Sequence, residues 1–173
     1  MKKAILVAIA LLTLTSCSLT EPIPVKGEVV SCASIKTNAL HGAVLDCLDG
    51  SKGVSIDSIS GPALINVWGT WCQPCRQELP HFAHYLASQG SVQVIGIAVE
   101  EKSPAVVKKF VETHGMTWPI LYDANGSTRG KFGMGVPVTW FIDASGKVVH
   151  KKYGPFTSVE EIQLAVIKYL GVK

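Results

Sequence analysis

The sequence predicts an α/β domain built on one mixed sheet flanked by helices. Three observations predict it. Ala63-Leu64-Ile65-Asn66-Val67-Trp68 is a compact apolar run of strand length, and Val92 to Val99 is a second. A helical pattern follows each of them. The last third then reads as a hairpin and an amphipathic helix. At 173 residues the chain has room for one domain and a short appendage, and 47% apolar against 17% charged residues excludes wholesale disorder.

The appendage comes first. Lys2 and Lys3 form a positive start, and Ala4 to Leu12 is an apolar run of nine residues, far short of the roughly 20 that a spanning helix needs. Residues 1–16 therefore read as an export signal. Leu14-Thr15-Ser16-Cys17 behind the run resembles the lipobox of bacterial lipoproteins, which implies cleavage before Cys17 and a diacylglycerol on its sulfur. Such a chain is lipid-anchored on the extracytoplasmic side of a bacterial membrane, with the bilayer as a partner. Residues 17–30 carry Pro22 and Pro24 without a hydrophobic period and read as a lipidated tether, leaving 31–173 as the domain. Removing residues 1–16 leaves fourteen basic against thirteen acidic side chains, a balance of +1 that gives no electrostatic footprint for nucleic acid.

Within the domain, Asp49-Gly50 between short apolar stretches of residues 43–56 predicts an N-terminal β-hairpin. The strand 63–68 feeds Gly69-Thr70-Trp71-Cys72-Gln73-Pro74-Cys75 and a helix reaching about Ser88. After the strand 92–99, Ser103 caps a helix with Pro104 at its first position, and Gly115 ends it. Val106, Val107, Phe110 and Val111 are its expected apolar face. Pro119 to Tyr122 reads as a short strand and 127–132 as a helical turn. Val138–Ile142 and Lys147–Tyr153 are strands joined by the turn Asp143-Ala144-Ser145-Gly146. Ser158-Val159-Glu160-Glu161 is a capping box, opening a last helix with Ile162, Val166, Ile167 and Leu170 expected inward.

The five cysteines carry the chemistry. Outside the cytoplasm thiols persist as disulfides. With Cys17 acylated and Cys72 and Cys75 forming a C-x-x-C, Cys32 and Cys47 pair with each other or stay free. A bridge between them would be structural, and its loop of about 15 residues predicts roughly 3 kcal/mol of stabilisation. The rival is a second redox pair relaying electrons to Cys72. Where a strand turns into a helix, the first cysteine of a C-x-x-C meets unpaired N–H groups and the positive end of the macrodipole. A thiolate there forms at neutral pH and attacks disulfides, and a cysteine one turn later resolves the mixed disulfide. Cys72 is the expected nucleophile and Cys75 the resolving thiol. Pro74 gives up an N–H at the helix start, where the loss costs little.

Trp71-Cys72-Gln73-Pro74-Cys75-Arg76-Gln77-Glu78-Leu79-Pro80 resembles the W-C-x-P-C-R-x-E-x-P signature of the TlpA/ResA/CcmG branch of thioredoxin-like proteins. Asn66-Val67-Trp68-Gly69-Thr70, Gly135-Val136-Pro137 and Phe141-Ile142-Asp143 fit the same branch. The resemblance covers about residues 40–170 and implies a thioredoxin-like fold with an inserted strand–helix segment. It also implies an extracytoplasmic thiol–disulfide oxidoreductase. Its substrates would be protein thiols or disulfides, apocytochrome c among them, and it would exchange electrons with a membrane donor or acceptor. Pro137 matches the family's cis-proline, whose loop with Val136 lies against the C-x-x-C and docks substrate. Trp71 and Pro74 would complete that surface. Glu78 matches an acidic residue linked to proton handling at the second thiol, against the plainer reading of a glutamate in a first helical turn. Asn66 stands where thioredoxin has a buried aspartate, and an amide cannot shuttle a proton.

No cofactor and no metal are called for. Cys32 and Cys47 lack zinc-knuckle spacing, and His81 and His84, one turn apart, have no further ligand in view. There is neither a nucleophile elbow nor a phosphate loop. The expected function is a reductant such as serves cytochrome c maturation. Three alternatives stand beside it: a disulfide donor for exported proteins, a copper metallochaperone and a thiol peroxidase. Gln-Pro between the two cysteines does not set the direction.

Overall fold

The computed structural model describes residues 26–39, 42–88, 90–133 and 135–172. Cys17 and the export signal lie outside the described residues. A seven-stranded sheet runs through the molecule in the order β2-β1-β5-β4-β3-β6-β7. Its strands are β1 (Val44–Cys47), β2 (Val54–Ser55), β3 (Ala63–Trp68), β4 (Gln93–Val99), β5 (Ile120–Asp123), β6 (Val138–Ile142) and β7 (Val148–Tyr153). The helices are α1 (Gln73–Ala87), α2 (Pro104–Thr113), α3 (Arg129–Phe132) and α4 (Val159–Leu170). β3 lies parallel to β4 and antiparallel to β6. β4, α2 and β5 extend the sheet to the N-terminal hairpin, with β5 antiparallel to β1.

Both faces of β3 are covered, which is why its six residues are all buried and read as a continuous apolar run. Strand alternation sorts them. Leu64 and Trp68 join the core formed with α1, α2 and α4, through Phe82, Val107, Val111, Phe156 and Ile162. Ala63, Ile65 and Val67 join the opposite core, closed by Phe132 of α3, Trp140 and the N-terminal segment.

Three sequence expectations are corrected. Val106 and Ile167 are exposed, at 41% and 45%. On α4 the buried stripe is Ile162 and Val166, with Ala165 and Tyr169 packed beside it, the helical period that Ile167 misses. The capping box opening α4 is modified too: Ser158 accepts from Glu161 N, but the Glu161 carboxylate reaches back to Thr157 N and its hydroxyl. Finally, the expected tether extends too far. Gly27 N donates to Glu112 O, Glu28 N donates to Met116 O, and Val30 bridges Pro119. A β-carbon on Gly27 would stand 1.9 Å from Val111 O, so only glycine lets this segment lie so close to α2.

Candidate active site

β3 ends at Trp68, and the chain turns sharply into α1, with Cys72 N donating to Gly69 O at 3.0 Å. Cys72 is the N-cap of α1, its Sγ accepting from Cys75 N at 3.2 Å. The first-turn donors that a helix leaves unsatisfied thus face the sulfur on which charge develops when the disulfide opens. Cys72 and Cys75 are joined in a disulfide with Cα atoms 5.3 Å apart. Cys72 is 4% exposed, whereas Cys75 is fully buried beneath it. Only the first sulfur is open to attack from outside.

β6 runs antiparallel to β3 with Val138 opposite Val67, so the residues entering β6 arrive beside the turn. Val136–Pro137 is a cis peptide, and Val136 O stands 3.7 Å from Cys72 Sγ. Once reduced, the Cys72 thiol can donate to that carbonyl. Trp71 is 54% exposed beside them, its indole N–H donating to Val99 O at 3.3 Å. A β-carbon on Gly69 would meet that indole at 2.7 Å, so glycine is what lets the ring fold back over the turn. Trp71 and Val136 line a cavity of about 250 Å³ with Val67, Val99, Phe132 and Gly135, rimmed by the ion pair of Arg129 and Glu100.

One turn of helix after Cys75, Glu78 is buried on the same face of α1. Asn66 Nδ2 donates to its Oε1 at 2.7 Å and to Thr139 Oγ1 at 3.2 Å, and Phe156 N donates to its Oε2 at 3.0 Å. Burial pushes the carboxyl up from 4.5 to about 7, against the lowering pull of the Asn66 amide, the Phe156 N–H and Lys152. It is an acid or base suited to neutral pH.

Seven of the expected site residues therefore meet at one end of β3: Trp71, Cys72, Pro74, Cys75, Glu78, Val136 and Pro137. Cys32 and Cys47 do not. They form a second disulfide, Cα atoms 6.1 Å apart, within the core on the other face of the sheet. With Asp49 they are the one His/Cys/Asp/Glu group among the described residues close enough to hold a metal, and their sulfurs are spent on each other. Sequence reasoning missed Thr70, Glu101, Thr139 and the Phe156 amide. Thr139 lies opposite Asn66 in the β3–β6 register, and a polar residue in an apolar strand was the available signal.

A protein-family model for the AhpC/TSA family matches residues 38–151. The chain belongs to the AhpC/TSA family. Among curated members, it is 32% identical over 118 residues to the thiol-disulfide oxidoreductase ResA of Bacillus thuringiensis (strain Al Hakam), covering 66% of this chain and 67% of that one. It is 32% identical over 134 residues to the thiol:disulfide interchange protein DsbE of Allochromatium vinosum, covering 74% and 73%. The crystal structure of StoA from Bacillus subtilis superposes with a TM-score of 0.59 at 23% identity, covering 70% of this chain and 93% of StoA, and shows the thioredoxin-like fold. This AhpC/TSA member is a thiol–disulfide oxidoreductase.

Proposed function

We propose that the chain is an exported, lipid-anchored reductant of protein disulfides, with Cys72 as nucleophile, Cys75 as resolving thiol and Glu78 as proton carrier. The observation that carries it is the N-cap position of Cys72, with its sulfur turned to the Cys75 N–H and Cys75 buried behind it. In the reducing direction the Cys72 thiolate attacks one sulfur of a substrate disulfide. That S–S bond breaks and the other substrate sulfur leaves as a thiolate. Cys75 passes its proton to Glu78 and attacks Cys72 Sγ, releasing the second substrate thiol. The protein ends as the disulfide, two electrons having gone to the substrate. Val136 O and the Trp71 ring flank the sulfur, where an extended substrate segment would lie. A membrane electron donor would restore the dithiol.

The reductant reading follows the likeness to ResA and the TlpA/ResA/CcmG signature, which also favours apocytochrome c as substrate. The anchor is assigned to Cys17 by the likeness of Leu14-Thr15-Ser16-Cys17 to a lipobox; no helix among the described residues is long and apolar enough to cross a membrane. Cys32–Cys47 is read as a structural bridge. Cys47, Leu121, Ile97 and Val67 stand in one row across adjacent strands, which puts Cys47 roughly 14 Å from the active-site end of β3 and on the opposite face. A direct relay to Cys72 would have to pass through the sheet.

The test is insulin-disulfide reduction with single variants. Cys72→Ser should abolish turnover, and Cys75→Ser should accumulate mixed disulfides through Cys72. Turnover by Cys72→Ser at the wild-type rate would sink the assignment.

A further inference from the structure

Glu101 follows β4 and is only 7% exposed. Both of its carboxylate oxygens are spent on one residue of the active-site turn: Oε1 accepts from Thr70 N, and Oε2 accepts from Thr70 Oγ1 at 2.7 Å. Two further bonds fix the turn and the Glu101 segment. The Trp71 indole N–H donates to Val99 O, and the Tyr122 hydroxyl donates to Glu101 O at 3.3 Å. Thr70 precedes Cys72 by two residues within a tight turn, so their Cα atoms lie within about 7 Å of each other. The Glu101 carboxylate is therefore fixed on the order of 10 Å from the reacting sulfur.

Two other carboxylates are matched by cations. Glu100 pairs with Arg129, and Asp57 with Lys131. Among the described residues no Lys, Arg or His forms an ion pair with Glu101. A neutral amide could accept from Thr70 N and donate to Thr70 Oγ1, whereas burying an uncompensated carboxylate is costly. A charge kept on such terms beside a thiol must act on the thiolate.

We propose that Glu101 is a positioning residue whose negative charge holds the Cys72–Cys75 couple toward the disulfide, making this chain a stronger electron donor. The inference rests on the reductant reading and deepens it. In the dithiol form, Cys72 carries anionic character at the helix start, and Glu101 opposes it. In the disulfide form there is no charge to oppose. The like charge thus raises the free energy of the reduced protein alone. Electrons pass more readily to a substrate disulfide, which takes up two electrons as the protein closes its S–S bond. The macrodipole of α1 pulls the other way. Glu101 offsets it.

The experiment equilibrates the full chain at pH 8 with graded mixtures of reduced and oxidised dithiothreitol. The dithiol fraction is read by alkylation and mass spectrometry. Glu101→Gln keeps an acceptor for Thr70 N and can donate to Thr70 Oγ1, so it removes charge and little else. It should shift the equilibrium toward the dithiol by about tenfold, the size expected for unit charges about 10 Å apart near a protein surface. That corresponds to about 30 mV for a two-electron couple. Glu101→Asp and Thr70→Val retain the charge and should stay within about threefold of wild type. Glu101→Ser is a second neutral variant, predicted to move as Gln does, should the amide fold poorly. An unshifted equilibrium in both neutral variants would overturn the proposal, as would an equal shift in Glu101→Asp. A wild-type couple as oxidising as a disulfide donor's would defeat the reductant reading instead, while the difference between wild type and Glu101→Gln would still read the charge.

Discussion

Glu78 couples the active site to the stability of the fold. Its carboxyl ionises near pH 4.5 in the unfolded chain and at about 7 in the folded one, because burial disfavours the charged form. Between those values the folded protein holds the extra proton, so stability falls as pH rises. The contribution is fully present below about 4.5 and is lost through about 7, a difference of about 3 kcal/mol. Glu78→Gln should flatten this dependence, which urea unfolding of both proteins from pH 4 to pH 9 will measure. A wild-type profile parallel to that of the glutamine variant would mean that the carboxyl is not perturbed. At Gly69, alanine would drive a β-carbon into the Trp71 indole, so the ring would have to swing out and give up its bond to Val99 O. The expected readouts are an altered Trp71 emission and a slower reaction at Cys72.

At the scale of elements, the N-terminal hairpin and last helix offer separate tests. Cys32 and Cys47 close a loop of 15 residues, so replacing both by alanine should cost about 3 kcal/mol without slowing insulin reduction. In a graded redox buffer a structural bridge should remain unlabelled by alkylating agents after Cys72 has reacted. Joint labelling of all four cysteines would instead make it a redox partner. Ser158→Ala removes the side chain that accepts from Glu161 N and should lower stability by about 1 kcal/mol, read from chemical denaturation. Caps, turns and buried strands were legible because their signals are local. Ser103, Ser158 and the 63–68 run each declare themselves within a few residues. Val106 and Ile167 misled because hydrophobicity alone does not say which side of a helix faces the core. The bonds of Gly27 and Glu28 to α2 and Met116 were not legible, since strand-like pairing of a proline-rich segment needs a distant partner.

For the molecule as a whole, the anchoring proposal has its own measurement. Metabolic labelling with palmitate should mark the wild type and miss Cys17→Ala, because both acylations need that cysteine. Membrane fractionation of the variant as tight as that of the wild type would assign the attachment elsewhere. The candidate site was legible where one segment spells it, from Trp71 to Glu78, and at Pro137 through the resemblance. It was illegible where tertiary structure supplies the partner: Glu101 meets Thr70 from 31 residues away, and nothing in Glu100-Glu101-Lys102 marks one glutamate as buried. The second donor to Glu78 has a different standing again. It is the main-chain N–H of Phe156, delivered by the segment that leaves β7 for α4, just after Gly154 N has donated to Pro137 O. Any residue at 156 other than proline supplies that hydrogen. Glu78 therefore owes half of its hydrogen bonding to the path of the backbone, so a library of side-chain replacements at 156 would leave that bond intact and register only the loss of the ring.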